Sequence, residues 1–229
     1  MTSIETIIDR QIRRWELQQA RLNAAPDEIR KPGPIIAISR QTGAYGENIA
    51  AELSHLTGFP LVDKEILEAI ARDFGVQRRV VELMDERAQS ELESWFEGMM
   101  TGRIIDSSDY LRALAKTIGA ISNYGEMIIM GRGANVILGP EKSFRLRVIA
   151  SLESRIKRIS EQMNIDTDKA GATVTADDSA RAAFMKKSFG VDPDDPSHYD
   201  LILNTDRFSV ADAVELTMLG YSKKTKYIG

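Results

Sequence analysis

Short, unbroken apolar runs alternate with stretches of helical periodicity along most of the chain. Ile35-Ile36-Ala37-Ile38-Ser39 is the clearest run, the pattern of a strand buried on both faces. Phe59-Pro60-Leu61-Val62-Asp63, Met127-Ile128-Ile129-Met130, residues 144–150 and residues 199–204 repeat that signature. Between them lie helical patterns. Residues 47–57 place Ile49, Ala50, Leu53 and Leu56 on one face, and Gly58 ends the pattern. Residues 64–74 carry Ile66, Leu67, Ile70 and Ala71, and residues 76–125 are mostly helical, with breaks near Gly98, Gly102 and Ser107-Ser108. Ser151 opens a charged helix as a cap, and Ser209 opens a closing helix over residues 209–219. Residues 180–189 read as helix, whereas the polar, small residues 166–179 predict a mobile connection. The chain starts with an amphipathic pattern over residues 4–22, with Ile4, Ile8, Ile12 and Trp15 on one side and Thr2 or Ser3 as cap. Two uses of that face stay open: packing on the chain's own body, or a homodimer contact.

Strands alternating with helices predict an α/β protein, with a five-stranded parallel sheet between two helical layers. In such sheets the ligand crevice lies at the carboxyl ends of the strands. Ser39-Arg40, Asp63-Lys64, Gly131-Arg132 and Asn204-Thr205-Asp206 all fall there. The break at Lys31-Pro32-Gly33-Pro34 divides an N-terminal helical extension, 1–33, from one domain, 34–229. A length of 229 residues suits that arrangement.

Composition narrows the chemistry. The chain has no cysteine, which removes disulfides, thiolate catalysis and cysteine-ligated zinc. His55 and His198 are its two histidines, too few for a multi-histidine metal site. The formal net charge of −4 argues against a general nucleic-acid binder. With no apolar run near the roughly 18 residues of a membrane span, and no secretion-signal pattern at the start, a cytoplasmic location without membrane contact is the expectation.

The turn after residues 35–39 carries the most specific signal. A strand, a glycine turn and a helix start bring unpaired backbone N–H groups and a partial positive charge together, which suits a phosphate. The candidate loop comprises Ser39, Arg40, Gln41, Thr42, Gly43, Ala44, Tyr45, Gly46, Glu47 and Asn48, with Gly43 and Gly46 giving the backbone its close approach. It departs from the G-x-x-x-x-G-K-[ST] pattern, because the lysine that meets the β- and γ-phosphates is missing. Arg40 and Lys64, each at a strand end, are the nearest substitutes. Thr42 and Asn48 lie nearest the place of the metal-binding hydroxyl, and no metal ligand set is assigned.

Taken in order, ISRQTGAYGENIAAEL, GFPLVDKEILEAIA, IIMGRGANVIL, FRLRVIASLESRIKRI and YDLILNTDRFS resemble the cytidylate kinase-like family over residues 34–220. That family carries an S-R-x-x-G-x-x-G loop instead of a lysine-bearing one. The resemblance implies a P-loop NTPase-like α/β/α fold with a helical insert at about 76–125 and a lid at about 155–185. It implies ATP and Mg²⁺ as cofactors, and transfer of the γ-phosphoryl group to a nucleoside monophosphate or another small acceptor. By the same resemblance Arg132 grips the acceptor's phosphate, Asp63 and Lys64 face the acceptor, and Arg155, Arg158 and Arg181 close from the lid as catalytic cations with Arg40. Two positions depart from these patterns: Tyr45 stands where the family's loop commonly has a glycine, and Gly133 stands where cytidylate kinases have the aspartate of Gly-Arg-Asp. Plainer roles also fit these residues. Asp63 could cap a helix, Arg132 could pair with a carboxylate, Arg155 and Arg158 could form a solvated face, and Arg181 could pair with Asp177 or Asp178. A catalytically inactive nucleotide-binding regulator and a dimeric scaffold are the alternative functions.

Overall fold

The computed structural model describes residues 4–24, 33–82, 84, 86–101 and 108–228. Five strands, Ile35–Arg40 (β1), Leu61–Val62 (β2), Ile128–Met130 (β3), Ser143–Ile149 (β4) and Leu201–Asn204 (β5), form one sheet in the order β2-β3-β1-β4-β5. Every pairing is parallel. β1 is central, with Ile36 opposite Ile128 on one side and Phe144 on the other. This explains its unbroken apolar run, because both of its faces are covered.

Alternate residues of β1 feed two separate cores. Ile36 and Ile38 pack with Ile49, Ala50 and Leu53 of α2 (Gly46–Thr57) and with Ala213, Val214 and Tyr221 of α10 (Val210–Ile228). Ile35 and Ala37 face a larger cluster on the opposite side. That cluster is built from α1 (Ile4–Ala24), α3 (Lys64–Arg72), α4 (Phe74–Glu82), α5 (Glu86–Thr101), α6 (Asp109–Ser122) and α7 (Ala134–Lys142). Two more helices, α8 (Leu152–Met163) and α9 (Thr167–Phe189), form a hairpin with its own small core of Ile159, Ala170 and Val174. The expected three-layer α/β/α sandwich with a parallel five-stranded sheet is the fold observed.

The mobile connection expected over residues 166–179 is instead part of α9, a correction with a clear cause. Asp166 caps the helix by accepting from the Lys169 N–H at 2.8 Å. Ala170 and Val174, four residues apart, bury against Ile156, Ile159 and Ile165. Two small apolar residues suffice because the partner helix supplies the bulk, so the segment's own pattern stays polar. The single helix expected over 64–74 ends at Arg72, and Asp73 starts a new one by accepting from the Gly75 and Val76 N–H groups. α10 continues past Leu219, and its Tyr221 hydroxyl donates to the Pro34 carbonyl at 3.0 Å.

The apolar face of α1 is used within the chain. Ile8, Ile12 and Trp15 lie in the larger core, and Trp15 stacks on Tyr124 with ring centroids 5.1 Å apart. The Thr2 or Ser3 cap, the Ile4 side chain, residues 31–32, Gly102 and Ser107 lie outside the described residues. Trp15→Ala is expected to lower the unfolding free energy by about 3–5 kcal/mol, as large-to-small changes in a core do. Urea denaturation followed by far-UV circular dichroism checks this, and a loss below about 1 kcal/mol would mean that α1 is not part of the core.

Candidate functional site

β1 delivers the chain into a tight turn that ends at α2. The Ala44 N–H closes back on the Gln41 carbonyl at 3.2 Å, and Tyr45 sits at the helix start with φ 64°. Gly46 is forced: a Cβ there would lie 2.6 Å from the Arg40 side chain, which folds over the helix start. Gly43 is forced twice, by φ +78° and by the Arg155 carbonyl 2.7 Å from where its Cβ would be. The turn already holds an anion. The Thr42 N–H donates to Asp178 Oδ1 at 2.9 Å, and the Thr42 hydroxyl meets Asp177 at 3.4 Å. A carboxylate from α9 therefore sits on the loop amide, which is free of any backbone partner there.

Arg40 is buried, and its Nε donates to Glu47 at 2.9 Å. Arg181 reaches in from α9 and donates to the Arg40 carbonyl at 3.1 Å. Arg155 and Arg158, both on α8, turn toward the loop's carbonyls. Arg155 bonds the Ala150 carbonyl at 3.1 Å, the Thr42 carbonyl at 3.3 Å and the Asp178 carboxylate. Arg158 bonds the Gly43 carbonyl at 3.3 Å and Thr205 at 2.7 and 3.0 Å, and its guanidinium lies 3.9 Å over the Tyr45 ring. Arg155 is thus no part of a solvated face: it is buried and braces the loop from behind.

A cavity of about 520 Å³ opens beside the loop, at the carboxyl ends of β3, β1 and β4. Five cationic side chains line it, Arg40, Lys64, Arg132, Arg147 and Arg181, against three carboxylates, Asp177, Asp178 and Asp194. Arg132 has φ 52° between two left-handed glycines, pairs with Glu68, and lies over the Phe184 ring at 5.1 Å. Burial pushes the Arg132 and Arg181 guanidiniums down from their ordinary value. The nearby charge of Arg40 adds to this at both, opposed by Glu65 at Arg132 and by Glu47 at Arg181. An anionic ligand beside them would offset that burial cost. Lys64 is half exposed, 3.3 Å from Glu65. Asp63 caps α3 by accepting from the Ile66 N–H at 3.0 Å and does not line the cavity. Glu47 and Asn48 are exposed on the first turn of α2.

Among the residues of this region that escaped the sequence reading as site residues are Glu68, Asn135, Arg147 and Asp178. Arg147 left a legible trace. An arginine in the middle of an apolar parallel strand must find partners, because arginine is almost never buried unpaired. Its partners are Ser39 and Asp194, both at 2.8 Å. Asn135 and Asp178 carried no such signal, being polar residues in helices whose faces the sequence did not settle.

The strand order and the glycine turn at the central strand define a P-loop-type α/β/α fold. The model of the cytidylate kinase-like family matches residues 35–207, and the chain belongs to that family. Among its relatives, a cytidylate kinase from Pyrobaculum aerophilum is 25% identical over 184 residues, 80% of this chain and 90% of that enzyme. One from Staphylothermus marinus is 36% identical over 87 residues, 38% of this chain and 49% of that enzyme, so this alignment spans about half of its length. The crystal structure of an uncharacterised protein from Eubacterium ventriosum matches with a TM-score of 0.65 at 22% identity, covering 85% of this chain and 99% of the other.

An aspartate cannot be placed at Gly133 without cost. That glycine has φ +71°, and a Cβ there would lie 2.3 Å from the Phe189 ring. Gly133→Asp is expected to destabilise the protein by at least about 1–3 kcal/mol, the range for a strained backbone position. Equilibrium denaturation of the variant beside the parent checks this, and equal stability would contradict the geometry.

Proposed function

We propose that the chain is a phosphotransferase that moves the γ-phosphoryl group of ATP onto a nucleoside monophosphate held in the 520 Å³ cavity. The observation that carries this reading is the carboxylate on the Thr42 amide at 2.9 Å, an internal stand-in for phosphate, next to a cavity rich in arginine. The Thr42, Gly43 and Tyr45 to Glu47 amides would hold the triphosphate, with Arg40 and Lys64 supplying the charge that the missing loop lysine supplies elsewhere. Thr42 and Asn48 are the loop side chains that would hold Mg²⁺, which would supply neutralisation of the phosphate charge; no group of three acidic or histidine side chains suited to a metal occurs among the described residues.

The chain's own contribution is placement and positive charge, which is most of what phosphoryl transfer asks of a protein. Arg132 would grip the acceptor's phosphate, with Asp63 behind it fixing the start of α3. Lys64 would face the same acceptor from the rim. Arg155 and Arg158 act on the loop: they hold its carbonyls so that its N–H groups point outward. Arg181, over the mouth of the loop, would meet the transferred group and, with the α8–α9 hairpin, exclude water.

Incubation with Mg-ATP and CMP, dCMP, UMP or AMP should yield the corresponding diphosphate and ADP. Arg132→Ala should lower kcat/KM for the acceptor roughly ten- to a hundredfold, the loss expected for one hydrogen-bonded charge contact. Nucleotide-dependent thermal stabilisation with no diphosphate formed from any acceptor would overturn the kinase reading in favour of a nucleotide-binding regulator.

A further inference from the structure

Among the described residues, five buried side-chain polar atoms have no hydrogen-bond partner. Three of them, Arg132 Nε, Asn135 Nδ2 and Arg147 Nε, belong to residues that line the same cavity. They come from three different places in the fold: the turn after β3, the first turn of α7, and β4. All three are donors. A buried donor without a partner is destabilising, and native structures keep few of them. Three of them on residues that line one cavity therefore point to a ligand that supplies the acceptors when these side chains turn toward it.

Each arginine is already pinned through its guanidinium. Arg132 spends Nη2 on Glu68, and Arg147 spends Nη1 on Ser39 and Nη2 on Asp194, leaving each Nε unpaired. Such pinning costs a ligand little ordering entropy. The lining carries two more cationic than anionic side chains, which matches the dianion of a phosphate monoester better than the single charge of a carboxylate.

We propose that Arg132, Asn135 and Arg147 form an oxyanion subsite that receives the phosphate of the acceptor, which makes Asn135 and Arg147 specificity-determining residues. The identity of the acceptor rests on the kinase reading; the subsite itself does not.

Two variants separate a binding role from a structural one. Asn135→Leu replaces an unsatisfied donor by an apolar side chain of similar shape, and Arg147→Lys keeps the charge and the reach to Asp194 but removes Nε. Calorimetric titrations with CMP, cytidine, inorganic phosphate, gluconate and ATP are run on each beside the parent, together with melting of the ligand-free protein. The expected result is a CMP affinity at least tenfold weaker in both variants. Cytidine and ATP affinities should stay within twofold, and ligand-free Asn135→Leu should melt no lower than the parent. CMP affinities within twofold in both variants, or a lowered melting temperature in Asn135→Leu with CMP binding intact, would overturn the subsite and leave the kinase reading standing. A parent that binds inorganic phosphate but not CMP, with that binding weakened in both variants, would support the subsite and end the assignment of CMP as the acceptor. Gluconate bound in preference to phosphate, with the same sensitivity, would overturn the assignment to phosphate. No binding of CMP, phosphate or gluconate would end both proposals.

Discussion

The site depends on how one short turn disposes of its backbone polar groups. A loop at the end of a central strand has carbonyls and N–H groups that compete for partners, and an anion site needs the N–H groups left over. Here arginines take the carbonyls. Arg155 holds that of Thr42 and Arg158 holds that of Gly43, while the Thr205 hydroxyl donates to that of Ala44 at 3.1 Å. With the carbonyls tied to the side of α8 and β5, the Thr42 amide is presented to the other side, where Asp178 meets it. Glycine at 43 and 46 follows from the same arrangement, because the Arg155 backbone and the Arg40 side chain occupy the space a Cβ would need.

This changes the meaning of the two arginines on α8. A loop lysine would offer its charge directly to phosphate. Arg155 and Arg158 instead fix the peptide dipoles, and the charge at the cavity comes from Arg40, Arg132, Arg147, Arg181 and Lys64. Positive potential is thus spread over β1, β3, β4, α3 and α9 rather than concentrated at one residue of the loop. Tyr45, which replaces a loop glycine, finds its use in the same brace, since its ring lies under the Arg158 guanidinium.

Much of the fold was legible in the sequence because the central strands announce themselves: runs such as Ile35 to Ile38 have no polar face to hide. What was not legible depended on a partner helix. α9 looked polar because its buried stripe is only Ala170 and Val174, and the isoleucines that cover it stand on α8 and the intervening turn. The site followed the same rule. Arg40, Arg132 and Arg181 could be placed because they sit at strand ends or in a family pattern. Asn135 and Asp178 could not, since their neighbours come from distant parts of the chain: Asp178 meets Thr42, 136 positions away. Asp63 illustrates the reverse case, where one carboxylate satisfied two readings and the structure shows the cap.

The outer strands of the sheet are brief. β2 contributes two residues and β5 four, whereas β1 and β4 contribute six and seven. An outermost strand that short exposes few dangling peptide groups to a second molecule, so it makes a poor template for intermolecular pairing. Terminating the sheet this way lets the middle strands stay apolar while the molecule's flanks offer little for fibrous self-association.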